Sequence, residues 1–413
     1  MTQGGSWLIV TGVPISRANK LLGASYELYY HTWANETILR TISYSLPAVL
    51  HTHVKTVAPT TAFTSTRLMQ QTPFTGSHSG REAAPANVTS GEPSDVLSRV
   101  EELAISPAFL RWLYRMPFDD PAPTDRNKLG IAGLINQYPR EKDLQNFMTR
   151  FRRDVNAKIA STQIVTVVPV NGGVDDLTSP SKQANLDTQY SVALTFPTPI
   201  EYYTIGGIPQ VSPEGLVTDG DNYLEWLRYM NNRESVPQTI SVPYFLRELD
   251  LSEEYAKSLC DEFKILGARG VSVLAASGDH GVGPGKERTI PFSTSFPASC
   301  TCDVYSLLAS YTHALAPGLG RSHSPNYHNF AGPWVTSVGG TTGFDPEVGS
   351  KISGGGFSVY FERPDYQNDA VPPFLNNLGN RKYHGRYKYV HSRDLTQPIL
   401  TISSSQPSGP RRP

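Results

Sequence analysis

The stretch that most narrows the fold covers residues 269–283, Arg-Gly-Val-Ser-Val-Leu-Ala-Ala-Ser-Gly-Asp-His-Gly-Val-Gly. Residues 271–276 form a short apolar run with β-branched side chains, which reads as a strand buried on both faces of a parallel sheet. The run stops at Ser277-Gly278-Asp279, where glycine permits a sharp turn and a carboxylate arrives at the strand's C-terminal end. Open α/β sheets bind ligands at that edge. Upstream, Tyr255, Leu259, Phe263 and Leu266 fall at spacings of four, four and three. They predict an amphipathic helix over 253–266 that leads into the strand through Gly267 and Gly270. Alone, the Ser-Gly-Asp-His-Gly loop reads equally well as a plain polar turn.

From residue 107 onward, strand-like and helix-like segments alternate. Residues 128–133 read as a strand and 141–155 as a helix with Leu144, Phe147, Met148 and Phe151 inward. A strand at 164–170 and a helix at 181–194 come next. Strands at 201–205, 238–242 and 271–276 follow, separated by helices at 222–232 and 253–266. This alternation predicts an α/β domain, a doubly wound parallel sheet flanked by helices.

The 413 residues leave room for one large domain and a smaller one. A formal net charge of -1, with charges scattered, points to neither nucleic acid nor an anionic membrane. No run approaches the ~20 apolar residues of a membrane span. The apolar patch from Trp7 to Val10 lacks the basic flank of a signal peptide. Residues 1–63 mix short β-like and helical runs; within them His51 and His53 would share one face of a strand. With no third ligand in view they read as a surface or core pair, not a metal site. Residues 59–95 are rich in Ser, Thr, Pro and Gly. They place a flexible, protease-sensitive linker at 64–104. Cys260, Cys300 and Cys302 allow one disulfide at most. The sequons Asn35-Glu36-Thr37 and Asn87-Val88-Thr89 would suit a secreted chain.

A second chemical feature is Gln183-Ala184-Asn185-Leu186-Asp187-Thr188-Gln189-Tyr190. Positions 183 and 187 lie one helical turn apart and share a face, with Leu186 and Tyr190 on a neighbouring face able to pack inward. A carboxylate near a helix start is favoured by the dipole, so Asp187 could equally serve only the helix.

Several blocks in a fixed order carry more weight than either motif. They are Asn185-Leu186-Asp187-Thr188-Gln189-Tyr190, Ser277-Gly278-Asp279, Phe296-Pro297-Ala298-Ser299-Cys300, Thr336-Ser337-Val338-Gly339-Gly340-Thr341-Thr342 and Ser353-Gly354-Gly355-Gly356-Phe357-Ser358. With them the chain resembles the sedolisins, the serine-carboxyl peptidases, and most closely the fungal secreted tripeptidyl-peptidase branch. The resemblance implies a subtilisin-like peptidase domain over 105–390. It also implies that residues 1–63, with Val13-Pro14-Ile15-Ser16-Arg17-Ala18-Asn19-Lys20-Leu21-Leu22-Gly23-Ala24, are the C-terminal part of an activation propeptide. Leu110-Arg111-Trp112-Leu113-Tyr114 resembles the start of the mature enzyme. The implied partners are a peptide or unfolded-protein substrate and the chain's own propeptide, with no nucleic acid or membrane. The implied state is a secreted, calcium-binding monomer.

The family mechanism implies a Ser nucleophile, a Glu general base, an Asp four residues after it, and a further Asp at the oxyanion. On this sequence the supporting Asp is Asp187, the oxyanion Asp is Asp279, and the base position is Gln183. A carboxylate base, with a reference pKa near ~4.3, suits acid conditions in which histidine is protonated. A protonated Asp can donate to the developing oxyanion, worth roughly 3 kcal/mol of barrier.

Departures from the pattern are as informative. An amide at Gln183 cannot accept a proton at any usable pH. The 413 residues hold no Gly-Thr-Ser block for the nucleophile. Beyond Tyr387 the resemblance fades, and 391–413 reads as an unrelated or disordered tail; the calcium ligands belong to that missing region. Residues 301–332 interrupt two blocks the family joins directly, and His313, His323 and His328 within them lack ligand spacing. This segment reads as a non-homologous insert, such as a retained intron, without packed contacts. Two classes of function follow: an incomplete copy of an acid tripeptidyl peptidase, or a non-catalytic homologue that binds peptides. A Ser-His-Asp hydrolase using His280 fits poorly, because His280 adjoins Asp279 and no Gly-x-Ser-x-Gly elbow is present.

Overall fold

The computed structural model describes residues 8, 10, 12–31, 36–58, 60–61, 105–117, 119–120, 127–134, 137–175, 182–206, 210–211, 217–218, 222–279, 281–282, 292, 294–300, 334–343, 346–350 and 353–377. The linker 64–104, the segment 301–332 with its three histidines, His280, Cys302, both sequon asparagines and the tail 391–413 lie outside them.

The N-terminal part begins with helix α1 (Ile15–Leu22), ended by Gly23 in the left-handed region at φ 52. An antiparallel hairpin of β1 (Glu27–His31) and β2 (Glu36–Arg40) follows. Ile38 is its buried side chain, while Leu28 and Tyr30 stay exposed. His51 and His53 follow a short 3-10 turn, Ala48–Leu50, rather than sitting in a strand. Pro47 opens that turn at φ -53, and His51 Nε2 meets the Leu46 carbonyl at 3.0 Å. The N-terminal part touches the rest through Lys55 and Asp261, 3.6 Å apart, and through Ala58, which packs on the main core.

Beyond α2 (Pro107–Leu113), the elements are β3 (Leu129–Gly133), α3 (Glu141–Phe151), α4 (Ala157–Gln163), β4 (Val165–Val170), α5 (Lys182–Thr195), β5 (Ile200–Ile205), α6 (Asn222–Asn232), β6 (Thr239–Val242), α7 (Glu253–Ala268), β7 (Ser272–Ala276), β8 (Val335–Val338) and α8 (Val371–Asn377). The six strands from β3 to β8 make one sheet in the order β8-β7-β6-β3-β5-β4, every pair parallel. The expected helix over 141–155 ends at Phe151, and an unexpected second helix, α4, follows it. Asn156 opens the second by accepting from the amides of Lys158 and Ile159. The strand β8 went unnoticed in the sequence.

Alternate side chains of the central strands feed two cores. Ile131, Ile200 and Tyr202 meet Leu144 and Met148 of α3, Ala160 of α4, and Ala184 and Val192 of α5. Ala132, Tyr203, Ile240 and Val273 meet α6 and α7, including Trp226, Leu227, Leu259 and Phe263. Helices α3, α4 and α5 therefore lie on one face and α6 and α7 on the other.

This placement sets the hand of each crossover. From β3 to β4 the chain steps outward over the first face, and from β4 to β5 it steps back over that same face, so these two crossovers have opposite hands. The crossovers through α6 and α7 step backward over the other face and share the hand of the first. Right-handed crossovers make up about 98% of such units, so β4-α5-β5 is the left-handed exception.

Not every strand is buried on both faces. In β7, Val273 and Ala275 are buried under α7, whereas Leu274 on the opposite face is 37% exposed. Among the described residues no helix covers that face beside β7 and β8, so the expectation of two-sided burial fails there. Gly267 also lies inside α7 rather than at its end. A Cβ there would come within 2.2 Å of the Trp334 ring, so the glycine seats the residue that precedes β8. A disulfide joins Cys260 of α7 to Cys300, Cα atoms 5.4 Å apart.

At the N-terminal edge of the sheet, Glu201 is buried and takes Lys128 Nζ at 2.9 Å, Arg233 Nη1 at 2.6 Å and the Tyr203 hydroxyl at 2.5 Å. Burial alone would raise its carboxyl, but Arg233, Tyr203 and Lys128 together hold it at about 2. Glu201→Ala leaves two cations short of their partner. We expect a loss of about 2 kcal/mol in urea unfolding at neutral pH, less than for a fully buried pair because both cations keep some water.

Candidate active site

Helix α5 brings Gln183 and Asp187 to the C-terminal edge of the sheet. Their spacing of one turn is realised as a hydrogen bond, in which Gln183 Nε2 donates to Asp187 Oδ1 at 2.8 Å. The head of α5 is tied to α3: Asn185 Nδ2 donates to Asp143 at 2.8 Å, and Asn185 Oδ1 accepts from the Arg140 amide at 2.9 Å. The inward face is not Leu186 and Tyr190 as expected. Ala184, Thr188, Val192 and Ala193 are the buried side chains, because a close approach to the sheet admits only small ones. Tyr190 instead turns outward, stacking on Phe147 and donating to the Ile105 carbonyl.

Asp187 keeps a little exposed surface, but its Oδ2 is shut off from solvent and has no hydrogen-bond partner among the described residues. Burial is the larger influence and lifts its carboxyl from 3.8 to about 7, against a small opposing pull from the Gln183 amide. Its surroundings are phenolic. Burial pushes the Tyr202 and Tyr244 hydroxyls well up, and the nearby Asp187 charge adds to both shifts. Tyr202 reaches this position because Gly133 opposite lacks a side chain; a Cβ there would meet the phenol at 2.6 Å. Burial therefore holds Asp187 as a neutral acid below neutrality.

Asp279 stands at the same edge, two residues past the buried Ser277 at the exit of β7. The preceding Gly278 has φ 103, and a Cβ on it would lie 2.3 Å from Ser295 Oγ. Three segments interlock around it. The Ser277 amide donates to the Val338 carbonyl at 2.9 Å, the Gly354 amide to the Gly278 carbonyl at 2.6 Å, and the Gly355 amide to the Gly281 carbonyl at 3.0 Å. Gly354 packs so closely that a Cβ would fall 1.7 Å from the Ser277 carbonyl oxygen. The glycine-rich block at 353–356 thus serves close backbone packing against the Asp279 loop.

The arrangement can donate hydrogen bonds to a polar ligand and can hold a proton on Asp187. It cannot take a proton up at position 183. Sequence reading missed Tyr202, Tyr244 and Glu248. For Tyr202 a signal existed, since period-two alternation from Ile200 puts it on the same sheet face as α5. Among the described residues no three His, Cys, Asp or Glu side chains gather as a metal site. No step below uses the calcium that the resemblance implies.

Comparison with known proteins adds a second line. Residues 1–63 match the family described as Pro-kumamolisin, activation domain. Over 392 residues the chain is 30% identical to tripeptidyl-peptidase SED2 of Arthroderma otae, covering 91% of this chain and 58% of that protein. Probable tripeptidyl-peptidase SED3 of Arthroderma benhamiae is 30% identical over 394 residues, 92% of this chain and 58% of its own length. The chain thus spans under two thirds of the curated relatives it matches. Among solved structures, Pseudomonas sedolisin complexed with two molecules of pseudo-iodotyrostatin aligns with a TM-score of 0.38 at 19% identity, over 63% of this chain and 65% of that one.

The buried acid gives a signed pH dependence. Between the ordinary aspartate value of 3.8 and about 7, the folded chain holds a proton that the unfolded chain releases. Stability from this group is complete below the lower value and lost as pH rises to the upper one. Asp187→Asn keeps the size and the Gln183 bond but removes the charge. At about pH 8 we expect the variant to exceed the parent by on the order of 3–4 kcal/mol in urea titrations, and to match it near pH ~4.

Proposed function

We propose that this chain, which belongs to the sedolisin family of serine-carboxyl peptidases, is a tripeptidyl-peptidase scaffold that holds peptides without hydrolysing them. The observation that carries this reading is the Gln183 to Asp187 hydrogen bond. At the family's base position stands an amide that donates to a buried acid, and an amide cannot take the proton from an attacking hydroxyl. The names of the relatives supply the reaction class. Asp187 holds the residue at 183 in place, and Asp279 stands where a donor to the substrate carbonyl is needed. The 413 residues contain no Gly-Thr-Ser block, the setting of the attacking hydroxyl in the family pattern.

The remaining features belong to the same proposal. The substrate side is a peptide with a free N-terminus, as the relatives' name requires. Residues 1–63 act as the chain's own propeptide, resting on α7 through Lys55 and Asp261. The Cys260–Cys300 disulfide supports an oxidising, extracellular setting. The scattered charge supports neither nucleic acid nor an anionic membrane as partner, and the chain acts as a monomer.

Purified chain incubated with a tripeptidyl fluorogenic substrate at acid pH is expected to show no turnover. Gln183→Glu in the same 413 residues is expected to restore none, because they hold no Gly-Thr-Ser block for the base to activate. Isothermal titration with a peptide bearing a free N-terminus is expected to show binding that Asp279→Ala weakens. Turnover by the parent chain that Asp187→Ala abolishes would sink the reading.

A further inference from the structure

Glu248 is a carboxylate with no surface exposure, and the mechanism above leaves it without a role. Its partners are neutral: Ser358 Oγ donates at 2.5 Å and the Val359 amide at 2.7 Å. The Glu248 amide in turn donates to the Thr294 carbonyl at 3.0 Å. A buried carboxylate without a counter-charge is expensive to keep, and a glutamine or leucine would fill the space at lower cost. What sits at the far ends of its hydrogen bonds is therefore informative.

One end is the segment from Thr294 to Phe296, whose last two residues pair antiparallel with Leu246 and Arg247. Its Ser295 is the residue on which Gly278 rests. The other end is the bend at 357–361, closed by Ser358 Oγ accepting from the amides of Tyr360 at 3.1 Å and Phe361 at 2.9 Å. That bend continues directly from Gly354 and Gly355, whose amides bond the carbonyls of Gly278 and Gly281. Ser295 and Gly354 thus hold Gly278 from two sides, and both lead back to one residue: the first segment to the Glu248 amide, the second to its carboxylate.

We infer that Glu248 is a positioning residue for Asp279: it fixes the two segments that clamp the Gly278–Asp279 turn, and so sets where the Asp279 carboxyl stands. The inference rests on the reading of Asp279 as a site residue, and its test separates the two. In the full chain, hydrogen exchange is read at the amides of Gly354 and Gly355, with the Asp279 carboxyl-carbon resonance as a second readout. Glu248→Gln keeps the size and removes an acceptor. It is expected to raise exchange at both amides by about 10-fold, to shift the Asp279 resonance, and to leave strands β3 and β5 unchanged. Ser358→Ala is expected to move the same amides in the same direction by less. Faster exchange confined to 359–361, with Gly354, Gly355 and the Asp279 resonance at parent values, overturns the inference. If Glu248→Gln unfolds the whole chain, Ser358→Ala decides alone: unchanged Gly354 and Gly355 overturn it. Asp279→Asn is expected to leave both exchange rates alone whether or not Asp279 serves a substrate carbonyl. The coupling therefore stands or falls apart from the peptide-binding reading.

Discussion

Helix α5 is held by its tail, and the position of its head depends on that. Arg111 Nη2 donates to the Leu194 carbonyl at 3.1 Å, Arg152 donates to the Ala193 carbonyl, and both guanidiniums share Asp120. Two cations at the negative end of a helix dipole oppose fraying and fix the axis. The restraint matters here because the crossover through α5 has the less favoured hand, so the usual fit of a twisted strand to its helix does not orient it. With the tail fixed and Asn185 tying the head to α3, Gln183 and Asp187 have one place to go: over Tyr202 at the C-terminal edge, away from water. The raised pKa of Asp187 follows from that geometry.

The two edges of the sheet divide stability from chemistry. The N-terminal edge is stitched by long-range polar contacts: Lys128, Glu201 and Arg233 form a cluster, and Gln238 Oε1 accepts from the Lys128 amide. Arg269 spends its guanidinium on the carbonyls of Met230, Asn231 and Arg233. At the C-terminal edge, glycine backbone packs on backbone where Gly354 meets Ser277 and Gly278. Parallel strands favour this division, because every connection that enters at one edge leaves at the other.

How much of this was legible in the sequence depended on how one-sided each element is. Helix α7 buries Tyr255, Leu259, Phe263 and Leu266 against one sheet, so its period was plain. Helix α5 packs on the sheet through small side chains and on α2 and α3 through large ones, so its apolar residues circle the axis and Leu186 and Tyr190 misled. The run 271–276 had the composition of a strand covered twice, yet composition cannot say whether a second layer arrives. Gln183 and Asp187 were visible as a pair because their contact is local. Glu248 was not, since Ser358 and Val359 lie more than a hundred residues away in sequence. Only the fold makes them neighbours.

The substitution at position 183 shows why scaffold and chemistry can part company in such a site. Two carboxyls at 2.8 Å could hold together only by sharing a proton, since both cannot ionise at that distance. A glutamine supplies the same hydrogen bond from its Nε2 at any pH, with no proton to share and no charge to bury. The local packing of α5, the contact with Tyr202 and the shielding of Asp187 Oδ2 are therefore indifferent to the exchange; under the proposed reading, proton abstraction is what it removes. Stability places no pressure on this position to remain an acid; only turnover does. Under the proposed reading, a chain that carries an amide beside the buried Asp187 keeps the hydrogen bond of the pair and gives up its proton acceptor.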